Sequence, residues 1–336
     1  MSIKEFIRPW ITSRFGNDAR ERSRFNSRMR FLLHNTLKKR SWQFGFAAGL
    51  LSLFILTTAQ SQPATMQIEK DITYAHTGSR ALTLDLYRPA QAGHRPLIVW
   101  VHGGAWRAGN KSSMPLKALV EDGFQIASID YRLTPEARFP ANVHDIKAAI
   151  RFLRANGKEL QINANTILIA GASAGGHLAA LVGVSNGNEA LEGMLGEHTQ
   201  TSSDVQGIVS FYGASNLTSI LGQSTPHGLG VRIPALQLLL GGQPEDKVEL
   251  AKLASPVFHV GPNDPPLLLI HGDQDPQMPI NQSHELVGVY KQHHLPVLMN
   301  VIHGAAHGGV AFYDDTRLDL VKSFLKEHHL HIAAKD

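Results

Sequence analysis

One serine in this sequence stands in a setting typical of a catalytic nucleophile. Ser173 is the centre of the pentapeptide GASAG (171–175), which follows an apolar run at 166–170 and precedes a helical pattern at 174–184. A sharp turn between a strand and a helix exposes the serine hydroxyl, and the flanking glycines let the two elements approach closely. The helix N-terminus then directs free N–H groups at negative charge on a reacting oxygen. The pattern therefore predicts acyl transfer with Ser173 as nucleophile.

A second glycine-rich motif lies upstream of this serine. His102-Gly103-Gly104-Ala105-Trp106 follows another apolar run, at 96–101. Glycine lets a backbone N–H face a substrate without an intervening Cβ, so this loop is expected to supply oxyanion donors from Gly103 and Gly104. Trp106, beside the loop, is expected to contact the substrate. A plain glycine turn is the simpler alternative, but it does not account for two matched motifs after neighbouring strands.

Two segments near the C-terminus hold candidates for the acid and the base. Enzymes with a nucleophilic serine in a turn between a strand and a helix place the nucleophile, the acid and the histidine in that order along the chain. Asp273 and Asp275 follow the apolar run at 266–270, and either could instead shape the turn. After the run at 297–302, His307 stands among small residues, where the base is expected, and His303 is its rival at the strand end.

Metal and cofactor chemistry is not indicated. The sequence contains no cysteine, which excludes disulfide scaffolds, thiolate metal sites and a cysteine nucleophile. His177, His303 and His307 would permit a metal site, but no suitably spaced carboxylates or cysteines complete a ligand set. We therefore expect neither a metal nor a cofactor.

Alternating strands and helices are predicted around these motifs. Segments 72–74 and 81–87 alternate in hydropathy and predict an antiparallel edge. Six runs are apolar at both alternate sets of positions, as in central parallel strands covered on both faces: 96–101, 125–130, 166–170, 207–211, 266–271 and 297–302. Helical patterns occupy 143–155, 174–184, 284–293 and 316–327. The predicted fold class is therefore α/β, with a mostly parallel eight-stranded sheet and helices on both faces.

One connection is much longer than the others. The stretch 213–265 is rich in Gly and Pro and contains an apolar helical piece at 233–240. Long insertions between core elements are commonly functional loops. We expect this stretch to be either a small lid over the pocket or a packed surface excursion.

Charge is distributed unevenly along the 336 residues. The whole chain has a net charge of +4 and a sequence pI of about 9.2. Residues 1–40 contain 11 basic and 3 acidic side chains, whereas residues 41–336 contain 21 basic and 25 acidic ones. The body of the chain is therefore mildly acidic. This argues against nucleic-acid binding, which needs a basic face.

The basic segment begins a predicted leader. It is followed by 13 mostly apolar residues at 44–56 and by small residues up to Ala59. This is the order of a secretory signal peptide, and the apolar run is shorter than the ~20 residues of a membrane span. We expect residues 1–59 to be removed, leaving a catalytic domain at 60–336 that is exported to the periplasm or secreted. An uncleaved membrane anchor is the alternative, and Met29 is a second candidate translation start.

Together the motifs resemble the α/β-hydrolase carboxylesterases, in particular the bacterial feruloyl-esterase-like (BD-FAE-like) branch near the hormone-sensitive-lipase group. The motifs that carry the resemblance are HGGAW (102–106), DYRLTPEARFP (130–140), NVHDIKAAIRFLRANG (142–157), GASAGGHLAAL (171–181), HGDQDPQMP (271–279) and GAAHGG (304–309). The resemblance implies Asp275 as the acid and His307 as the base. Met278 replaces the family's usual valine. Asp130, Arg132 and Asp145 match positions with a structural role, in a buried ion pair.

The activity that this resemblance implies is serine carboxylesterase chemistry. Ser173, His307 and Asp275 would form the triad, with the N–H groups of Ala174 and of Gly103 or Gly104 binding the oxyanion. The expected partner is a small-molecule ester with a small or aromatic acyl group; no nucleic acid is expected, and a membrane only if the leader stays as an anchor. An amide-, formamide- or peptide-cleaving hydrolase of the same fold stays open, as does the oligomeric state. A non-catalytic binding module is disfavoured because the triad is complete.

Overall fold

A sheet of eight strands organises the described part of the chain. The computed structural model describes residues 66–90 and 95–330, so the predicted leader at 1–59 lies outside the described residues. The strands are β1 (Gln67–Thr77), β2 (Arg80–Arg88), β3 (Arg95–Val101), β4 (Gln125–Ile129), β5 (Ile162–Ala172), β6 (Gly207–Phe211), β7 (Leu267–Gly272) and β8 (Val297–Ile302). Their spatial order is β1-β2-β4-β3-β5-β6-β7-β8. β2 pairs antiparallel with both β1 and β4, and the remaining neighbours pair parallel, which confirms the predicted fold class.

Helices fill the connections between these strands. They are α1 (Lys117–Glu121), α2 (Ala141–Ala155), α3 (Ala174–Gly183), α4 (Glu189–Glu192), α5 (Ile220–Gln223), α6 (Pro226–Leu240), α7 (Val248–Leu253), α8 (Asn281–Gln292) and α9 (Asp315–Glu327). Short 3₁₀ turns occupy Pro256–Phe258 and Val310–Phe312. The four helices expected from periodicity are α2, α3, α8 and α9, and all are confirmed. Among the residues described, none of the helices combines the length and the apolarity needed to cross a membrane.

Two separate apolar cores lie on the two faces of the sheet, and a strand such as β3 contributes alternate side chains to them. In β3, Leu97 and Val99 face one apolar cluster, which also contains side chains of α2, α3 and α8. The intervening Ile98 and Trp100 face the other cluster, with side chains of α1 and α9. Because successive residues of a strand point to opposite faces, an uninterrupted apolar run is buried on both. Helices on both faces of the sheet are therefore confirmed.

The last apolar run does not form a central strand. β8 stands at the end of the strand order, and Leu298 is exposed while several of its neighbours are only half-buried. The prediction that the run at 297–302 is covered on both faces is wrong. Apolar composition fits an edge strand as well as a central one, and the difference depends on pairing that lies far away in sequence.

The long connection at 213–265 is built around α6. Thr225 caps this helix by accepting a hydrogen bond from the N–H of Gly228 at 3.0 Å, and Gly241 ends it with a φ of 73°. A polar cap and a left-handed terminal glycine are the usual limits of a helix. Leu236 and Leu239 are buried in the first core, whereas Arg232 lines a pocket at the end of the sheet. The helix is thus packed onto the domain and also forms one wall of the pocket.

The predicted structural ion pair is present between two of its three candidates. Arg132 binds Asp145 at 2.6 Å, and the Asp145 side chain is completely buried. Asp130 instead pairs with Lys111: it accepts a hydrogen bond from the Lys111 N–H at 2.7 Å and lies 3.5 Å from the Lys111 Nζ. The Arg132–Asp145 pair ties the segment after β4 to α2, next to the loop that carries the HGGAW motif.

Candidate active site

Ser173 occupies a strained turn between β5 and α3. Its φ is 56°, in the left-handed region that residues with a Cβ seldom adopt. Its N–H donates to the carbonyl oxygen of Phe211 at 2.9 Å, and its carbonyl accepts from the N–H of His177 at 3.0 Å. Gly175 is required here, since a Cβ at this position would lie 2.6 Å from the carbonyl oxygen of His102. Contacts with β6, α3 and the end of β3 thus hold the strained backbone in place.

His307 lies between Ser173 and Asp275. Its Nε2 is 2.8 Å from the Ser173 Oγ, and its Nδ1 is 2.6 Å from the Oδ2 of Asp275. A neutral imidazole that donates from Nδ1 to a carboxylate has Nε2 free to accept a proton. The structure therefore brings together the serine, histidine and aspartate named from the sequence, in an arrangement that can deprotonate the serine hydroxyl.

Backbone groups and a second histidine hold the Asp275 carboxylate. The Oδ1 atom accepts hydrogen bonds from the N–H groups of Gln277 and Met278, both at 2.8 Å. Burial alone would raise the pKa of Asp275. Hydrogen bonds from His271 and His307, the charge of His307 and the Met278 N–H outweigh it, so the pKa lies well below its ordinary value. The carboxylate is therefore kept ionised beside the imidazole.

The side chain of His271, on β7, is fully buried behind this carboxylate. Its Nδ1 is 2.7 Å from the Ser283 Oγ, and its Nε2 is 3.0 Å from the Met278 carbonyl oxygen and 3.5 Å from the Asp275 Oδ2. A carbonyl oxygen can only accept, so Nε2 carries the proton. His271 links β7, the acid-bearing loop and α8. His271 was not among the site residues predicted from the sequence, although it is the first residue of the HGDQDPQMP motif.

The rival acid and the rival histidine bind each other. The Oδ2 of Asp273 lies 2.8 Å from the Nδ1 of His303, and its Oδ1 accepts a hydrogen bond from the N–H of Gly304 at 2.7 Å. The His303 side chain is 87% exposed. This second pair fixes the turn after β8 and has no contact with Ser173.

The three residues expected to supply oxyanion donors are Gly103, Gly104 and Ala174. Gly103 and Gly104 line the same pocket as Ser173. Gly104 has a φ of 120°. Its carbonyl oxygen accepts hydrogen bonds from the N–H groups of Arg107 and Ala108, so the carbonyl is directed at the backbone of its own loop. Within the described residues, neither glycine N–H donates to another loop or turn carbonyl. Ala174 is the first residue of α3, whose first-turn N–H groups have no partner inside the helix.

Trp106 does not occupy the position expected for it. Its side chain is completely buried and is not part of the pocket lining. The Nε1–H donates to the Nδ1 of His177 at 3.0 Å, and the His177 Nε2 lies 2.6 Å from the Ala254 carbonyl oxygen. Positive φ angles at Ala105 and Trp106 turn the chain so that the indole enters the core. The expected substrate contact is thus replaced by a structural contact that anchors the glycine loop.

The three histidines considered for a metal have separate partners. His177 binds Trp106, and burial lowers its pKa to about 4. His303 and His307 each face a different aspartate. Within the parts of the chain that the structure describes, no group of three or more His, Cys, Asp or Glu residues is arranged to hold a metal ion.

The pocket above Ser173 has a volume of about 830 Å³. Tyr212 follows β6 with a φ of 40°, and its ring lies edge-on to His307 with centroids 4.8 Å apart. Its hydroxyl is 2.8 Å from the hydroxyl of Tyr313. The lining is formed by Trp100, Gly103, Gly104, Ala105, Arg107, Ala108, Ser113, Met114, Pro115, Ala172, Ser173, Tyr212, Val231, Arg232, Gln277, His307, Gly308, Gly309 and Tyr313. Tyr212, Tyr313 and Arg232 were not predicted from the sequence, because tyrosines and arginines outside a motif carry no local signal.

The sheet order, the serine turn after β5 and the acid and histidine after β7 and β8 define the α/β-hydrolase fold. Comparison with known proteins narrows this class to one family. The BD-FAE family model matches residues 84–290, and the chain belongs to that family. The predicted resemblance is thereby confirmed.

Relatives and solved structures agree with this placement. Esterase LipC of Mycobacterium tuberculosis is 34% identical over 196 residues, which cover 57% of this chain and 47% of the relative. Esterase LipQ of the same organism is 34% identical over 220 residues, covering 63% and 50%. The chain thus spans about half the length of the curated relatives it matches first.

Among solved structures, a truncated carbohydrate esterase from gut microbiota is similar over 78% of this chain and 96% of its own length, with a TM-score of 0.71 and 31% identity. A thermophilic esterase of Thermogutta terrifontis with bound propionate has a TM-score of 0.65 and 25% identity, over 80% and 97% of the two chains. The catalytic-domain fold is therefore shared along nearly the full length of these two structures.

Proposed function

We propose that this protein is a serine carboxylic-ester hydrolase that forms an acyl-enzyme on Ser173. The observation that carries the proposal is the continuous hydrogen-bonded chain from the Ser173 hydroxyl through His307 to Asp275, at the base of a pocket. Membership of a family with esterase relatives supports the same reaction class.

In the acylation step, His307 acts as the general base. Its Nε2 takes the Ser173 proton as the Oγ attacks the ester carbonyl carbon, and the carbonyl oxygen becomes an oxyanion. Asp275 keeps the imidazole in the required tautomer and stabilises the positive charge that it gains. The N–H groups of Ala174 and of Gly103 or Gly104 stabilise the oxyanion, and removing one such donor costs about 3–4 kcal/mol in other enzymes.

The same groups then act in reverse. His307 gives its proton to the leaving alkoxide, the alcohol departs and the acyl group stays on the Ser173 Oγ. A water molecule next loses a proton to His307 Nε2 and attacks the acyl carbon. Collapse of the second tetrahedral intermediate breaks the acyl–Oγ bond, releases the acid and returns the proton to Ser173. The cycle needs no cofactor.

We propose that the preferred esters carry small or aromatic acyl groups. Tyr212, Tyr313 and Trp100 supply aromatic surface beside Ser173. The similar Thermogutta terrifontis esterase is described with propionate and with butyrate, and another similar structure is a carbohydrate esterase. Short acyl esters and esters of aromatic acids on carbohydrate are therefore the substrate classes to test.

The test is hydrolysis of an ester panel by the purified catalytic domain and its Ser173→Ala variant. We expect p-nitrophenyl acetate, longer p-nitrophenyl esters, methyl ferulate or acetylated xylan to be cleaved by the wild type and not by the variant. A fluorophosphonate probe should label only the protein with Ser173. Unchanged turnover in Ser173→Ala would contradict the proposed serine mechanism. Cleavage of matched amides faster than of the esters would indicate an amidase instead.

We also propose that the protein is exported. This rests on the leader at 1–59, with its basic segment, apolar run and small-residue exit. Expression of the whole chain, followed by cell fractionation and N-terminal mass analysis, tests it. A product that begins after Ala59 in the periplasm or medium supports export, a full-length chain in the membrane indicates an anchor, and a full-length cytoplasmic product would overturn the proposal.

A further inference from the structure

Arg232 is a buried cation in the wall of the catalytic pocket. It lies on α6 with only 1% of its surface exposed, and it is one of the residues that line the pocket above Ser173. Its Nε donates to the carbonyl oxygen of Gln277 at 3.2 Å, whereas its Nη1 is buried without any hydrogen-bond partner. Leaving a buried donor unsatisfied costs more than leaving it in water. Arg232, a residue of the pocket lining, therefore has hydrogen-bond donor capacity that the described chain does not use.

Other buried cations of the described chain have acidic partners. Lys147 and Arg151 are almost completely buried, and both bind Glu192. Arg232 has no carboxylate within ion-pair distance among the described residues, and Asp275 acts on it only at longer range. Among the described residues, Lys147 and Arg151 thus share the Glu192 carboxylate, whereas Arg232 is buried without an acidic partner.

The surroundings of Arg232 do not neutralise its charge. Its Cζ lies 5.9 Å from the centroid of the Trp106 ring, and the Gln277 carbonyl is a neutral acceptor. The described lining contains Arg107 as a second cation and no Asp or Glu. Burial lowers the pKa of Arg232 to about 10, against the raising effect of Asp275, so the side chain stays charged at neutral pH. The described lining therefore holds two cationic side chains and no carboxylate, although the body of the chain is mildly acidic.

We propose that Arg232 binds a carboxylate of the substrate, so that the preferred ester carries an anionic group on its acyl or its alcohol part. This inference rests on the proposed ester hydrolysis at Ser173. The guanidinium fork matches a carboxylate geometrically, and such charge-assisted hydrogen bonds are strongest where water is excluded. Half-esters of dicarboxylic acids and acyl esters of hydroxy-acids are the two chemical sources of this group.

Two matched substrate pairs separate these sources. For the acyl side, 4-nitrophenyl hemisuccinate is compared with the similarly sized neutral ester 4-nitrophenyl pentanoate. For the alcohol side, 4-acetoxybenzoate is compared with its neutral methyl ester. kcat/KM is measured for each ester with the wild type and the Arg232→Gln variant. Because each anionic-to-neutral ratio is compared between proteins, intrinsic differences in ester reactivity cancel.

We expect Arg232→Gln to lower kcat/KM for the anionic member of at least one pair by about 10- to 100-fold, the range for one hydrogen bond between charged groups. The neutral member should change by less than about 3-fold. Arg232→Lys keeps the charge but not the forked guanidinium, so its kcat/KM for the anionic ester should fall between those of the wild type and Arg232→Gln. Arg138→Gln is the matched control: Arg138 is exposed, lies next to Gly241 at the end of α6 and is not part of the pocket lining. Its ratios should equal those of the wild type.

A binding measurement keeps this inference separate from the proposed function. In a Ser173→Ala background, calorimetric titration with 4-nitrophenyl hemisuccinate and 4-acetoxybenzoate reports anion binding without turnover. Arg232→Gln should weaken the binding of at least one of them about tenfold or more, even if the wild type hydrolyses none of the esters. An equal effect of Arg232→Gln on both members of both pairs, or no effect on either, overturns the proposal. If that variant does not fold, as judged by thermal unfolding, the Arg232→Lys ratios decide, and ratios equal to the wild type then overturn it.

Discussion

Two histidine–aspartate pairs in this molecule are built from the same two segments and have different surroundings. His307 and Asp275 are 2.6 Å apart, and His303 and Asp273 are 2.8 Å apart. Both aspartates follow β7 and both histidines follow β8. Only the first pair lies against Ser173, with its carboxylate buried, whereas His303 is 87% exposed.

A hydrogen bond alone does not distinguish the candidate catalytic pair from the pair at the surface. The buried carboxylate of Asp275 receives two backbone N–H groups and stands beside His271. Asp273 receives one backbone N–H, from Gly304, and lies at the surface. In water a pair such as His303–Asp273 is worth little, whereas fixed groups in a desolvated site orient the imidazole toward the serine. The surroundings, rather than the contact distance, distinguish the two pairs.

Removing each histidine should separate the pairs most clearly. We expect His307→Ala to lower kcat by about 10⁶-fold, as loss of a triad histidine does in other serine hydrolases. His303→Ala should keep kcat within about 3-fold, because its side chain has no contact with Ser173. Steady-state hydrolysis of p-nitrophenyl acetate measures both. Comparable losses in the two variants would contradict the assignment of His307 as the base.

Removing each carboxylate charge should have the next largest effect. Asp275→Asn keeps the size of the side chain but no longer fixes the histidine tautomer, and we expect a loss in kcat of about 10⁴-fold. Asp273→Asn should change kcat by less than about 3-fold. The same assay measures this pair of variants, and a greater loss in Asp273→Asn would reassign the acid.

Replacing His271, which contacts the His307–Asp275 pair and not the His303–Asp273 pair, should lower kcat by a smaller factor. His271→Leu leaves the Met278 carbonyl and the Ser283 hydroxyl without their partner, so we expect the free energy of unfolding to fall by about 1–3 kcal/mol. Loss of support for Asp275 should lower kcat about tenfold. His271→Gln can still donate to Met278 and accept from Ser283, and it should recover part of both quantities. Urea unfolding and ester kinetics measure them, and no recovery in His271→Gln would count against a positioning role.

Asp264 shows how burial changes the pKa of a carboxylate that lacks the histidine partners of Asp275. Burial raises its pKa to about 6, despite the hydrogen bond from the Gly261 N–H and the charge of His293. The folded chain therefore holds this proton more tightly than the unfolded chain. The resulting stability is complete below pH 3.8 and is lost as the pH rises to about 6.

Asp264→Asn should accordingly stabilise the protein at pH 8 by about 1–2 kcal/mol, since partial exposure reduces the full value. It should have little effect near pH 4 and none on ester hydrolysis. Thermal unfolding at the two pH values measures the difference, with the exposed Asp246→Asn as control. A stabilisation of equal size at both pH values would show that the charge of Asp264 is not its cause.

The fold and the order of the candidate catalytic segments followed from local patterns. Apolar runs and helical periodicity located the parallel strands and four helices, because a strand buried on both faces has no polar positions. The strand–turn–helix setting located Ser173, and the family motif favoured Asp275 and His307. Local composition did not reveal that the run at 297–302 forms an edge.

The local sequence patterns did not predict which side chains line the pocket. Trp106 was expected against the substrate but lies in the core, because the sequence does not show that the backbone at 105–106 adopts positive φ angles. Arg232 gave no signal at all, since its exposure and its missing partner depend on how α6 packs against the loop after β7.

The sequence by itself determined the α/β-hydrolase fold, the serine turn at Ser173 and the two segments that hold an acid and a histidine. Periodicity and turn chemistry act over a few residues and can be read along the chain. The tertiary structure decided which aspartate meets which histidine, which of these pairs is buried against Ser173, and that Arg232 remains without an acid. Pairing, burial and desolvation arise from residues distant in sequence, so only the folded chain defines them.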